Sequence, residues 1–273
     1  MPNDRAMAGS ERIVHSNGTD LFVRIDGDQG PWVVLLNSLA ADLSMWEPQM
    51  PALAGRFRVL RFDTRGHGRS SAPPPPYSID GLADDLFAVL TACGARPAHV
   101  VGLSLGGVVA AAAALANPEA FSSLEICDSR VEMPAEFRQG IDDRNRLVGE
   151  KGMEALVAPF IERWFTPETR RAAPETIASV ERMIRATSVA GFTGCAEALK
   201  GARVLERLAE LRLPSLFLVG SADAAVPREV MLDQQRRVAG SRYVEIEGAG
   251  HLSNLERPAA FTAALLDFLR SVG

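Results

Sequence analysis

Gly102-Leu103-Ser104-Leu105-Gly106-Gly107 is the stretch on which the reading of this chain turns. It fits Gly-x-Ser-x-Gly, a strand-to-helix elbow that lifts a serine hydroxyl clear of a sheet in a strained backbone conformation. Gly102 and Gly106 stand two positions either side of Ser104, where a Cβ would press on neighbouring backbone as the chain doubles back. The pentapeptide alone is common, so its flanks decide. Before it runs the short β-branched segment Ala98-His99-Val100-Val101. After it, Val108 to Ala116 is small, apolar and helix-favouring until Asn117-Pro118. Strand, glycine turn and helix stand in the order the motif requires, which makes Ser104 a candidate nucleophile.

Outward from the elbow, short apolar strands alternate with helices. Leu21 to Ile25 predicts a strand with Asp26-Gly27-Asp28 as its turn, after a loose lead from Met1 to about Gly18. Trp32 to Leu36 is a continuous apolar run, as in a strand covered on both faces. Met45 to Leu53 reads as a short helix interrupted by Pro48 and Pro51, and Phe57 to Phe62 as a further strand. Pro73 to Pro76 form a stiff connection, and Ser78 is placed to cap a helix through Ala92. Leu124 to Cys127, Pro214 to Gly220 and Arg242 to Ile246 complete the strands, and Pro258 to Leu269 a closing helix. This alternation implies an α/β class with a mostly parallel sheet and helices on both faces.

From Val131 to about Leu211 no convincing strand appears. Amphipathic helical stretches at Ala135–Glu150, Met153–Phe165, Pro174–Ala186 and Phe192–Gly201 are broken by glycine and proline. We read residues 1–130 and 212–273 as the sheet-bearing core and 131–211 as an inserted helical lid.

The 273 residues suit one large α/β unit, and a formal charge of -5 without a basic run gives no reason to expect nucleic acid or an anionic membrane. The odd count of three cysteines, far apart at Cys93, Cys127 and Cys195, argues against a disulfide framework. The first twenty residues lack the apolar run of a secretion signal, and Val108 to Ala116 is too short to cross a bilayer. A soluble, cytoplasmic protein is expected.

A serine hydroxyl at neutral pH needs a base, usually a histidine that a carboxylate holds in orientation. Of His15, His67, His99 and His251, the last lies in Gly248-Ala249-Gly250-His251-Leu252-Ser253-Asn254, read as a mobile loop after the final strand, from which an imidazole leans over the carboxyl edge of the sheet. Two aspartates end strands upstream of it. Asp223, in Gly220-Ser221-Ala222-Asp223, follows the penultimate strand; Asp128 follows the strand after the elbow helix. Both satisfy the order serine, acid, histidine. The Gly-x-x-Asp turn and the downstream Pro227 favour Asp223, leaving Asp128 as a cap or salt-bridge partner near the lid. Two backbone amides suffice for an oxyanion: Leu105, directly after the serine, and Leu39, in Asn37-Ser38-Leu39-Ala40, a register that allows a shift by one.

The histidines show no paired metal-ligand spacing, the cysteines no CxxC, and no Gly-x-Gly-x-x-Gly follows the first strand, so no metal or nucleotide cofactor is expected. A dehalogenase would carry aspartate at the elbow; serine argues for an ester-like acyl group.

With these residues placed, the chain resembles the α/β-hydrolase superfamily and, within it, the 3-oxoadipate enol-lactonases. The likeness runs from about Leu21 to Leu269. It is most specific in Asn37-Ser38-Leu39 with Asp42-Leu43-Ser44-Met45-Trp46, Arg61 to Gly68, the elbow, Arg163-Trp164-Phe165-Thr166-Pro167, Ala186-Thr187-Ser188 and His251 to Glu256. The resemblance implies an α/β-hydrolase fold with a helical lid, a Ser104, Asp223, His251 triad, no cofactor, and a small lactone or carboxylic ester as substrate. General carboxylesterase activity and carbon–carbon bond hydrolysis by the same triad are alternatives; a non-enzymatic small-molecule receptor is a remote one.

The chain departs from the family twice. Leu39-Ala40-Ala41 stands where the family reads Leu-Gly-Thr, and Asp128-Ser129-Arg130 where it tends to carry Asn-Thr and small residues. The second change sets Arg130 near the pocket mouth, either to bind a substrate carboxylate or to pair with an aspartate. Trp46, Trp164 and Phe165 are candidates for pocket wall or for core and lid packing. Asp63 and Arg65 read as bracing for the elbow region.

Overall fold

The computed structural model describes residues 9–273. It opens with β1 (Ser10–Ser16) and β2 (Thr19–Asp26), an antiparallel hairpin turning at Asn17-Gly18. Both turn residues have positive φ, 45° and 74°, the left-handed pair that a tight hairpin favours. The first hairpin therefore turns there rather than at Asp26-Gly27-Asp28, where the chain bends between β2 and the next strand, and much of the predicted loose lead is strand. β1 is a largely exposed edge strand, so its sequence lacks an apolar run. The rest of the lead, residues 1–8, lies outside the described residues.

β3 (Trp32–Leu36) is buried throughout and pairs in parallel with β4 (Arg58–Phe62). The single helix predicted between them is a 3₁₀ stretch, Leu43–Gln49, followed by α1 (Met50–Leu53). Pro48 and Pro51 each remove a backbone donor there, which disfavours one continuous α-helix. α2 (Ile79–Cys93) begins at Ser78, whose Oγ accepts the Gly81 N–H at 3.0 Å, and ends at Gly94 in a left-handed cap. β5 (Ala98–Leu103), α3 (Leu105–Ala116) and β6 (Phe121–Cys127) follow.

The chain then leaves the sheet for α4 (Ala135–Lys151), α5 (Glu154–Trp164), α6 (Pro167–Ala172), α7 (Pro174–Ala186) and α8 (Val189–Gly201). Short α6 begins at Pro167, which the sequence pattern marks only as a break. The chain returns as β7 (Ser215–Gly220), α9 (Arg228–Arg236), β8 (Arg242–Ile246), α10 (Ser253–Glu256) and α11 (Pro258–Val272).

The described residues form one eight-stranded sheet ordered β1-β2-β4-β3-β5-β6-β7-β8, parallel from β4 to β8. Alternate side chains feed two apolar clusters. Val34, Val100, Ile126 and Phe217 pack with α2, α3 and α9; Val33, Leu35, Val101 and Leu218 pack with α1 and α11. The second cluster continues into Phe160, Trp164 and Phe192 of α5 and α8, so the helical insertion is seated on the core by buried apolar surface. From β3 the chain steps to β4 on one side, and β5 then lies on the other. The loops after β3 and β5 thus diverge at the carboxyl edge, where open α/β sheets form their crevices.

Candidate active site

Ser104 stands in that crevice at φ 55° and ψ −114°, a left-handed strain that no glycine relieves. Its neighbours explain why the strain holds. A Cβ at Gly102 would meet the Gly106 carbonyl oxygen at 2.2 Å, and one at Gly106 would meet that of Leu36 at 2.3 Å. The elbow is pinned further by the Ser104 N–H donating to Cys127 O at 2.9 Å, and by the Ser129 hydroxyl, which lies 2.9 Å from Ser104 O and 2.7 Å from Cys127 O.

Three of the residues predicted as a site come together here. His251 Nε2 lies 3.0 Å from Ser104 Oγ, and His251 Nδ1 lies 2.9 Å from Asp223 Oδ2. Asp223 is itself oriented, its Oδ1 accepting the Ala225 and Val226 N–H groups at 2.7 and 2.9 Å. With an Nδ1–H donated to Asp223, Nε2 is free to take a proton from the serine. Burial pushes the His251 pKa down, but the charge and hydrogen bond of Asp223, helped by the charge of Asp128, outweigh it and leave the pKa raised.

The histidine loop is packed rather than free: His251 is 4 % exposed and Leu252, Ser253 and Asn254 are fully buried. The His251 N–H donates to Trp164 O at 2.8 Å, and Glu256 accepts from the Thr166 and Gly250 N–H groups, tying the loop to the end of α5. Gly250 is there for closeness. A Cβ at that position would lie 2.6 Å from Trp164 O. The expected loop mobility is corrected accordingly.

Asp128, the other strand-end acid, is fully buried at φ 45°. Its Oδ1 accepts the Gly220 N–H at 2.8 Å and its Oδ2 the Ser253 hydroxyl, so it ties the ends of β6 and β7 to the helix after His251. No cation pairs with it among the described residues, so the salt-bridge alternative is not seen. Burial, then repulsion from Asp223, holds its pKa well above the ordinary carboxylate range.

The two residues predicted as oxyanion donors stand past the ends of adjacent strands, β3 and β5. Leu39 follows β3, Leu105 opens α3, and both line one cavity with Ser104 and His251. As first residue of its helix Leu105 has no intrahelical acceptor for its N–H. Ala40, the departure from Gly, has φ 59°. His67, which sequence reasoning left without a role, holds this turn: its Nε2 accepts the Ala40 N–H at 3.1 Å while its Nδ1 lies 3.0 Å from Arg65 O. Burial pushes its pKa down to about 4. Asp63 braces the same region, accepting the N–H groups of Leu43 and Arg69, both at 2.8 Å. Arg65 forks onto Asp85 at 2.6 and 2.7 Å. His15 pairs with Asp20 on an exposed edge, and His99 meets Ser123 Oγ at 2.7 Å in a buried network.

The cavity above Ser104 holds about 300 Å³. Trp164 and Arg130 line it, whereas Trp46 does not. Trp46 is 0 % exposed, donates its indole N–H to Asn37 Oδ1 at 3.0 Å and packs 6.1 Å from Phe261, which corrects its candidacy as pocket wall. Phe165 is likewise buried and absent from the lining. Arg144 and Arg163, neither singled out as a site residue from sequence, do line it. Among the described residues no cluster of three His, Cys, Asp or Glu side chains is disposed to hold a metal, and no helix is long and apolar enough to cross a membrane.

Residues 31–258 match the family model described as alpha/beta hydrolase fold. The chain is 30% identical to 3-oxoadipate enol-lactonase 1 of Acinetobacter baylyi, covering 95% of this chain and 97% of that protein. It is 32% identical to 3-oxoadipate enol-lactonase 2 of the same organism, over 86% of this chain and 87% of the relative. Among solved structures, the enol-lactonase from Burkholderia xenovorans superposes with a TM-score of 0.90 at 35% identity, over 95% of this chain and all of that one.

Proposed function

Because this chain belongs to the α/β-hydrolase family, we propose that it hydrolyses a small lactone or carboxylic ester through an acyl-enzyme, in the manner of the enol-lactonases it resembles. The observation that carries this reading is the hydrogen-bonded line from Ser104 Oγ through His251 to Asp223, 3.0 and 2.9 Å long.

In this reading Ser104 attacks the substrate carbonyl carbon as His251 Nε2 takes its proton, and Asp223 holds the imidazole and offsets its positive charge. The amides of Leu39 and Leu105 receive the developing oxyanion; one such donor contributes about 3 kcal/mol to transition-state stabilisation. His251 then returns the proton to the leaving oxygen. Water, deprotonated by the same imidazole, attacks the acyl-enzyme and restores Ser104. No redox step or group carrier is required. Asp223 is preferred to Asp128 as the acid because both Asp128 oxygens already serve Gly220 and Ser253. Residues 131–211 act as the lid, and Trp164 and Arg130 as walls of the substrate pocket.

The test is a panel of 3-oxoadipate enol-lactone, neutral lactones, short-chain esters and a diketone. Hydrolysis of a lactone or ester in preference to the diketone is expected; cleavage of the diketone alone overturns the reading.

A further inference from the structure

Three guanidinium groups line the cavity above Ser104, from three different elements: Arg130 just past β6, Arg144 on α4 and Arg163 in the last turn of α5. Several other arginines of this protein find carboxylates. Arg61 holds Asp26 and Glu47, Arg65 forks onto Asp85, and Arg185 bridges Glu154 and Glu181. Arg130, Arg144 and Arg163 form no ion pair among the described residues; Arg130 instead lies 5.1 Å from the centre of the Phe137 ring. Asp143, beside Arg144 in sequence, is engaged by Arg146 and Gln139. Glu136 is the one carboxylate lining the cavity, and it is exposed.

A half-buried guanidinium without an acceptor in the protein is left to water or to a ligand, and a ligand carboxylate is the stronger partner. Arg130 and Arg144 are both half-buried. Burial pushes the pKa of each down; the charge of Glu136 opposes this at Arg130, that of Asp143 at Arg144, and the charge of Arg163 pushes both down further, so Arg163 stands close enough to repel each. Arg163 also acts against the protonated form of His251, which places this positive field beside the reacting atoms. Three positive charges against one negative leave an excess of two. A single substrate carboxylate satisfies one guanidinium fork and leaves positive charge unanswered.

We propose that the substrate of this hydrolase carries two carboxylates besides the ester or lactone group that is cleaved, and that Arg130, Arg144 and Arg163 together hold them. The assignment rests on the cavity above Ser104 being the substrate site. Two separated carboxylates suit guanidinium groups spread over a strand end and two helices, each fork taking a planar partner. The small cavity confines the ligand to a compact polycarboxylate ester.

The experiment has two arms. In the first, kcat/KM is measured at low salt for p-nitrophenyl acetate, mono-p-nitrophenyl succinate and the mono-p-nitrophenyl ester of tricarballylic acid, which carry none, one and two free carboxylates. A rise of tenfold or more per carboxylate is expected, shrinking as salt is added. The advantage of the dianion over the neutral ester is expected to fall at least tenfold in Arg144→Gln and in Arg163→Gln. A p-nitrophenyl ester bearing one phosphate in place of both carboxylates is expected to gain no more than the succinate; preference for it overturns the proposal. In the second arm, tricarballylate is titrated calorimetrically into Ser104→Ala protein, where binding is expected, and into the same protein carrying Arg144→Gln and Arg163→Gln, where loss of binding is expected. Equal kcat/KM for all three carboxylate-series esters overturns the proposal and spares the hydrolase reading. Tricarballylate binding without turnover of any ester supports the anion site and overturns the hydrolase reading.

Discussion

The imidazole of His67 accepts the backbone N–H of Ala40 at 3.1 Å, one residue beyond Leu39, which lines the same cavity as Ser104. Ala40 sits at φ 59°, a left-handed conformation costing about 1 kcal/mol for an alanine, so the turn needs a partner to hold it. Because burial keeps His67 neutral down to about pH 4, that acceptor persists throughout the neutral range.

His67→Ala is therefore expected to lower kcat by roughly tenfold to a hundredfold, through a displaced Leu39 amide, with a smaller change in KM. It should also destabilise the protein by about 1–3 kcal/mol, since a buried N–H loses its acceptor. Steady-state kinetics on a neutral ester, with urea unfolding, checks both. Unchanged kcat would mean that the turn holds itself.

Asp128 gives a pH signature. Its folded pKa is raised to about 8, so its contribution to stability is fully present below the ordinary aspartate value near 4 and is lost as pH rises through about 8. Glu125, also raised to about 8 by burial, acts in the same direction. In Asp128→Asn the amide can still accept from Gly220 and meet Ser253, while the charge is gone. The loss of stability between pH 5 and pH 8 should shrink by at most about 1.4 kcal/mol per pH unit. Urea unfolding at each pH reads the slope, and identical slopes would contradict this account.

Gly106→Ala would drive its Cβ to 2.3 Å from the Leu36 carbonyl oxygen, backbone that cannot step aside without moving β3. We expect a stability loss of about 3 kcal/mol and turnover reduced with it, since Leu36 leads into the Leu39 loop. Calorimetric unfolding showing wild-type stability would refute the crowding argument.

Trp46 belongs to the core, bonded to Asn37 and packed on Phe261. Trp46→Phe is expected to cost about 1–3 kcal/mol in stability through the orphaned Asn37 oxygen and the lost volume, while leaving the ratio of kcat/KM between any two esters unchanged. A shifted ratio would return Trp46 to the pocket.

Much of the sheet was legible because buried parallel strands such as Trp32–Leu36 and Ser215–Gly220 are unbroken apolar runs. β1 was not, because an edge strand mostly open to water carries no such pattern. Ser104, Asp223 and His251 were locatable since each follows a recognisable strand end, and glycines mark where backbone must pass close. His67 was invisible in its role because its hydrogen bond to Ala40 spans 27 positions and depends on tautomer and burial. Arg144 and Arg163 were missed for a related reason: on the amphipathic helices α4 and α5 an arginine facing a cavity reads like one facing solvent. Only the cavity that they line in three dimensions separates the two.

The central claim is that Ser104 carries the acyl group. Rapid quenching with p-nitrophenyl acetate, followed by intact-mass and peptide analysis, should find one acetyl group per chain on the peptide containing Ser104. In Ser104→Ala there should be none, and turnover should fall by at least a thousandfold. An acetyl group on any other residue, or persistent turnover in Ser104→Ala, would contradict it.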